Sequence, residues 1–127
     1  MIQFEQVTPF MHVPDLGEAL DFFTDVLGFK VLFRLPDYAY IQREAVGFRL
    51  LDASGCPPRG DGRFAYYVDV RDVDALYAEL KPKLAALPPG HVHGPEDKDY
   101  GQRELLVRAP DGDLIAFGMA IPEVAKA

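Results

Sequence analysis

Two segments of this chain follow one pattern: HVPDLGEALDFF at residues 12–23 and DVRDVDALYAEL at residues 69–80. In each segment a valine precedes an aspartate by two positions, and that aspartate, Asp15 or Asp72, stands before apolar residues at helical spacing. Such an aspartate caps a helix N-terminus, because its carboxylate accepts backbone N–H groups that lack partners in the first turn. The pattern therefore predicts a strand–helix unit that occurs twice.

The residues around the first segment predict three further strands after the helix. Apolar side chains recur at helical spacing from Leu16 to Leu27, and Gly28 can end the helix because glycine readily adopts a positive φ. Pro9 removes one backbone donor from the strand before the helix. The strands are expected over residues 7–13, 29–35, 38–43 and 46–52.

The second segment predicts the same order of elements. A helix is expected from Val73 to Leu84, and Pro82 is expected to kink or loosen it. The stretch after Pro88-Pro89-Gly90 is poorly periodic, whereas Ala109-Pro110-Asp111-Gly112 is typical of a type I turn between antiparallel strands. The strands are expected over residues 64–70, 103–108 and 114–119.

The predicted architecture is an α+β fold of two tandem βαβββ modules. The first module is expected over residues 5–53 and the second over residues 63–120, within a single domain of residues 1–127. A chain of 14.1 kDa with 49% hydrophobic and 26% charged residues has the composition of a globular domain.

Composition also limits the classes of partner. The net charge of −7 argues against nucleic acid, which requires a basic surface, and weakly favours neutral or cationic ligands. No apolar run approaches the roughly 20 residues that span a bilayer, and no signal peptide is expected. The lone Cys56 excludes a disulfide framework, is expected to have no catalytic role, and suits a reducing cytoplasm.

These features resemble the vicinal-oxygen-chelate superfamily of glyoxalases, bleomycin-resistance proteins and dioxygenases, and within it the bleomycin-resistance proteins. The residues that carry the resemblance are 19–29, 70–79, 100–104 and the turn at 110–112. The resemblance implies that the two modules form curved mixed sheets, each shaped as a cup. It also implies a homodimer in which the N-terminal strand is exchanged between subunits near Pro9.

The enzymes of this superfamily hold a metal ion with histidine and glutamate side chains from four strands. Transferring those positions to this chain gives Thr8, Arg49, Ala65 and Ala116. None of these residues is a histidine or a carboxylate, and the Arg49 cation would repel a divalent metal. We therefore expect neither a catalytic metal nor another cofactor. His91-x-His93 could bind a metal adventitiously, but is expected to be a solvated loop.

Strand alternation places aromatic residues in the two cups. Tyr38 and Tyr40 share one face of the third strand, while Tyr67 and Asp69 share one face of the fifth. The resemblance implies that Tyr38 and Tyr67 line a groove for a drug. An alternative is that each tyrosine merely fills the interior of its cup.

Three polar residues complete the set of candidate binding residues: Arg49, Glu104 and His12. Glu104 could anchor a cationic group, or could equally form a buried ion pair with Arg49 or Arg103. His12 or Glu104 could also serve as a general base in an enzyme that needs no metal.

The leading hypothesis is a non-enzymatic, cytoplasmic protein that sequesters an aromatic or cationic glycopeptide-type drug or a related ligand. The chain has no tryptophan, whereas the resemblance implies tryptophan-rich or acidic stretches in the drug groove, so bleomycin itself is not fixed as the ligand. The alternatives are a superfamily enzyme of the lyase, isomerase or dioxygenase type, and a structural or regulatory partner domain.

Overall fold

The computed structural model describes residues 2–54 and 64–122, and Cys56 lies outside them. The chain divides into two compact units, Met1–Pro58 and Arg59–Ala127. Each unit has one four-stranded mixed sheet, and the helical turns of each lie along one face of its own sheet. The predicted α+β class with two mixed sheets is therefore confirmed.

The first unit contains four strands in the spatial order β1-β4-β3-β2. β1 runs parallel to β4, and the other pairs are antiparallel. β1 begins three residues later than expected, because Pro9 has no N–H for the ladder and contributes only its carbonyl, which accepts from Arg49 N at 2.9 Å. The elements are β1 Phe10–Val13, α1 Leu16–Asp21, a π-helical turn Phe22–Val26, β2 Lys30–Leu35, β3 Tyr38–Arg43 and β4 Val46–Asp52.

The expectation of one regular α-helix from Leu16 to Leu27 is wrong in its second half. The helix widens into a π turn, in which Leu27 N donates to Phe22 O at 3.3 Å. The wider turn accompanies the burial of two consecutive aromatic rings, Phe22 and Phe23, which meet edge to face at 5.3 Å. Gly28 follows with φ +77°, as predicted for the residue that ends the helix.

The second unit repeats this arrangement with the spatial order β5-β8-β7-β6. β5 runs parallel to β8, and the remaining pairs are antiparallel. Both helices begin as predicted: the Asp15 carboxylate accepts from Glu18 N, and the Asp72 carboxylate accepts from Ala75 N, each at 2.9 Å. The elements are β5 Ala65–Asp69, α2 Val73–Leu84, β6 Val92–Asp97, β7 Gln102–Arg108 and β8 Leu114–Ala120.

One expectation for the second unit needs correction. α2 has the predicted bounds, Val73–Leu84, and includes Pro82 in its last turn, where a proline removes only one backbone hydrogen bond. Residues 91–93 are not simply a loop, since β6 begins at Val92 and pairs with β7. A register shift between His93 and Glu96 accommodates the Gly94-Pro95 pair that hides the strand pattern in the sequence.

Each unit packs one face of its sheet into an apolar core. In the first unit the rings of Phe23, Phe29 and Phe48 lie 5.6–5.8 Å apart. In the second unit, Leu105 and Val107 of β7 are fully buried. Strand alternation turns the intervening residues to the opposite, open face of each sheet, where the candidate site residues lie. No helix of the described residues is long and apolar enough to cross a membrane.

Candidate functional site

The open face of the first sheet, here called the first face, carries most of the predicted aromatic residues. Cross-strand partners share a face, so Phe10, Arg49 and Tyr40 lie side by side across β1, β4 and β3. Ala39 and Ile41, which alternate with the tyrosines along β3, are fully buried, which confirms the predicted parity. The register places on this face Phe10, His12, Lys30, Phe33, Leu35, Tyr38, Tyr40, Gln42, Gly47, Arg49 and Leu51.

Arg49 lies at the centre of the first face. Its guanidinium carbon is 5.4 Å from the centroid of the Tyr40 ring and 6.0 Å from that of Phe10, close enough for cation–π attraction. Its Nη1 donates to the Tyr38 hydroxyl at 2.6 Å. The structure thus brings Arg49 together with Tyr38 and Tyr40, the two tyrosines that strand alternation placed on one face.

Tyr40 is held by two residues that were not among the predicted binding residues. Its hydroxyl donates to Gln42 Oε1 at 3.2 Å, and its ring lies over Gly47, where an added Cβ would overlap the hydroxyl. A glycine inside a strand commonly marks such a close approach, and Gln42 follows Tyr40 by two positions on the same face. Both signals were therefore present in the sequence.

The open face of the second sheet, here called the second face, contains Tyr67 in a similar setting. Tyr67 is 47% exposed, donates to Gln102 Oε1 at 3.1 Å, and lies over Gly118, where a Cβ would again overlap its hydroxyl. The register places on this face Ala65, Tyr67, Asp69, His93, Glu96, Gln102, Glu104, Leu106, Arg108, Leu114, Ala116, Gly118 and Ala120.

Glu104 is buried on the second face, with only 5% of its surface exposed. Its Oε1 accepts a hydrogen bond from the Tyr100 hydroxyl at 2.8 Å. The alternative of an ion pair with Arg103 is wrong, because neighbouring residues of a strand point to opposite faces. Arg103 instead contacts Asp74 Oδ2 and Asp97 Oδ1, each at 2.7 Å, on the helix side of the sheet.

The Glu104 carboxylate changes the acidity of the two phenols around it. Partial desolvation, reinforced by Glu104, raises the pKa of Tyr67 to about 12. The hydrogen bond to Glu104 raises the pKa of Tyr100 as well. Both phenols therefore remain neutral donors at physiological pH. Tyr100, which is 63% exposed, was not among the predicted site residues.

The remaining predicted residues lie on the edges of the two faces. His12 is exposed on β1 and pairs in register with Leu51. Asp69 is exposed on the last position of β5 and pairs in register with Gly118.

The four positions that correspond to the metal ligands of superfamily enzymes do not fit a metal. Arg49 is occupied with tyrosine contacts, while Ala65 and Ala116 lie on the second face without donor atoms in their side chains. Across residues 2–54 and 64–122, no three or more His, Cys, Asp or Glu side chains are grouped so that they could hold a metal ion. The two open faces instead offer aromatic rings for stacking and polar side chains for hydrogen bonding.

Paired βαβββ units with aromatic open faces define a class of protein, and comparison with known proteins gives the family. The model of the Glyoxalase/Bleomycin resistance protein/Dioxygenase superfamily matches residues 4–117, and the chain belongs to that superfamily. A bleomycin resistance protein of Geobacillus stearothermophilus is 27% identical over 127 residues, covering 88% of this chain and 94% of that protein.

Two solved structures show the same fold. The crystal structure of a bleomycin resistance determinant encoded on the transposon Tn5 has a TM-score of 0.78 and 22% identity, covering 92% of this chain and 98% of that one. A bleomycin-binding protein complexed with bleomycin has a TM-score of 0.77 and 22% identity, covering 93% of this chain and all of that one. The resemblance drawn from the sequence is therefore confirmed.

Proposed function

We propose that this protein binds and sequesters a small molecule with a planar aromatic system, such as a bleomycin-type glycopeptide drug, without altering it chemically. The observation that carries the proposal is the pair of tyrosines, Tyr40 and Tyr67, each held over a strand glycine by a hydrogen bond to a glutamine. The relatives named bleomycin resistance protein and bleomycin-binding protein support the choice of ligand class.

The physical basis of binding is stacking on rings that are already in place. An aromatic pair contributes about 0.5–1.5 kcal/mol beyond the burial of its area. A tyrosine that is fixed before binding loses less rotamer entropy when the ligand arrives. The polar residues of the proposed site, Arg49, Glu104, Asp69 and His12, would then select among aromatic ligands by charge and hydrogen bonding.

Sequestration needs only binding, since a bound drug cannot reach its target. The protection follows mass action, so the protein must be present at a concentration comparable to that of the drug and above the dissociation constant. Placement in the cytoplasm belongs to the same proposal, because the protein must meet the drug before its target does.

A homodimer with exchanged N-terminal strands is the proposed assembly. Ile2, Phe4 and Val7 are 91%, 96% and 92% exposed, which is unfavourable for three large apolar side chains of one short segment. Docking this segment on a second copy would remove these side chains from water and cover a sheet edge.

The proposal is tested by a thermal-shift screen against planar drugs and cell metabolites, with recovery of the ligand by mass spectrometry. A true ligand raises the melting temperature of the wild type, and Tyr67→Ala or Tyr40→Ala reduces that shift. Tyr77→Ala on α2, on the helix side of the second sheet, leaves the shift unchanged. Recovery of a chemically altered ligand would instead favour a superfamily enzyme, and the absence of any stabilising ligand would contradict the binding function.

A further inference from the structure

The charged side chains on the first face have one sign. The register places Lys30 and Arg49 on this face and no carboxylate among its residues. The second face differs, since Asp69, Glu96 and Glu104 lie on it together with Arg108. The net charge of −7 is therefore not spread evenly, and the first face is a local exception to it.

Arg49 has hydrogen-bonding capacity that its own unit does not use. A guanidinium carries five N–H donors, and the structure shows one side-chain bond from Arg49, to the Tyr38 hydroxyl. Among the described residues of the first unit, no carboxylate lies within 4.0 Å of Arg49. An unpaired arginine that is half-buried among aromatic rings is a strong site for an oxyanion, because a carboxylate can accept two of its donors in parallel.

Tyr38 adds a second donor at the same place. Its hydroxyl oxygen accepts from Arg49, so its proton remains free to donate, and no acceptor for that proton is seen among the described residues of the first unit. Arg49 N–H groups and the Tyr38 O–H therefore converge on one region of the first face.

The walls beside this region are aromatic or apolar. Phe10 and Phe33 are 54% and 53% exposed, and Leu35 beside Tyr38 is 47% exposed. Such surfaces accept a planar hydrocarbon ring, which a bare inorganic anion does not offer.

We propose that the first face binds an aromatic carboxylate, with its oxyanion on Arg49 and Tyr38 and its ring against Phe10 and Tyr40. The inference rests on the proposed binding function and specifies the charge of the ligand group that this face selects.

The test is a calorimetric comparison of three probes with one ring system: naphthoate, the neutral naphthylmethanol and the cationic naphthylmethylammonium. The wild type is expected to bind naphthoate about tenfold or more tightly than naphthylmethanol, and its affinity for naphthylmethylammonium is expected not to depend on Arg49. Arg49→Gln should lower the affinity for naphthoate by about tenfold and change the affinity for naphthylmethanol by no more than about twofold. Arg49→Lys should fall between, since lysine keeps the charge but loses the planar fork.

The matched control is Arg34→Gln. Arg34 is an exposed arginine of the same sheet on the opposite face, so this variant should bind all three probes as the wild type does. Melting curves verify that every variant is folded. Any one of three results would overturn the inference: equal binding of naphthoate and naphthylmethanol, unchanged naphthoate affinity in Arg49→Gln, or no binding of naphthoate. If planar drugs still stabilise the protein through Tyr67 in that case, the proposed function stands and only the anion site fails.

Discussion

Gly47 and Gly118 give the two faces their shape, because each lets a tyrosine ring lie directly on a strand. Any Cβ at these positions would overlap the hydroxyl of Tyr40 or Tyr67. The rings are then fixed by glutamine acceptors, Gln42 from the same strand as Tyr40 and Gln102 from β7, two strands away from Tyr67 in the sheet order. At the scale of single residues, the candidate site consists of tyrosines that are oriented before any ligand binds.

Replacing Gly47 by alanine is expected to destabilise the first unit. The added methyl group must push Tyr40 away from β4 and break its bond to Gln42, an overpacking defect of about 1–3 kcal/mol. Urea unfolding measures the change. Gly17→Ala serves as the control, since its Cβ meets only ordinary contacts in α1 and alanine favours a helix, so equal loss in both variants would contradict this account.

The titration of Tyr67 gives a second prediction at this scale. Its pKa of about 12 lies above the ordinary value of 10, so the folded state retains the phenol proton that the unfolded chain loses. The resulting stabilisation is complete below pH 10 and is lost as the pH rises toward 12. Absorbance of the phenolate should show late titration of Tyr67 and a raised titration of Tyr100, so Tyr67→Phe should remove part of the late component and Glu104→Gln should shift all of it toward 10.

Tyr77→Phe is the control for that titration, because Tyr77 lies on α2 beside Lys81 and not near Glu104. The late-titrating phenolate absorbance of Tyr77→Phe should equal that of the wild type. Titration of all tyrosines together near pH 10 would contradict the proximity of Tyr67 to the buried carboxylate.

The secondary-structure elements show what local sequence determines. β3 and β4 have the predicted bounds, since both alternate regularly and are bounded by turns at 36–37 and 44–45. The π turn in the first helix was not predicted, because it reflects the packing of Phe22 and Phe23. Strand β6 was implied by the second βαβββ module but could not be located, because it is made by pairing with β7. Both features depend on tertiary packing or strand pairing, and the hydrophobic periodicity of a single segment carries no information about those contacts.

The candidate site likewise combines residues that local sequence can place with residues that only long-range contacts bring together. Alternation alone placed Tyr38, Tyr40 and Tyr67 on open faces, because parity is a local property of a strand. The partners Gln102 and Tyr100 were missed, since their approach to Tyr67 and Glu104 depends on cross-strand register and on the loop before β7.

The helix caps provide a prediction at the scale of elements. Asp72→Ala removes the acceptor for Ala75 N and should lower the free energy of unfolding by about 1 kcal/mol. Asp72→Ser should retain most of the stability, because a serine hydroxyl can accept the same bond. Chemical denaturation of both variants checks this, and a loss in Asp72→Ser as large as in Asp72→Ala would show that capping is not the cause.

At the scale of the whole molecule, two similar units carry faces of different charge. The first face presents Arg49 and Lys30, whereas the second presents Glu104 and Asp69 beside Tyr67. The two units have the same order of elements, yet their side chains are suited to different ligand groups. The net charge of the chain therefore does not determine the chemistry of either face.

The proposed dimer is tested by sedimentation at micromolar concentration. We expect a mass of twice the 14.1-kDa chain, and we expect deletion of residues 2–9 to shift the protein toward the monomer, because it removes the exposed apolar segment. A wild-type protein that sediments as a monomer would contradict the exchanged-strand assembly.

The central claim, that this protein sequesters a bleomycin-type drug without altering it, is tested most directly by calorimetric titration with metal-free and copper-loaded bleomycin. We predict saturable heat at micromolar protein, at least about tenfold weaker binding by a Tyr40→Ala/Tyr67→Ala double variant, and recovery of unaltered drug. The absence of heat with both forms of bleomycin would contradict the drug assignment, and release of a modified drug would contradict sequestration.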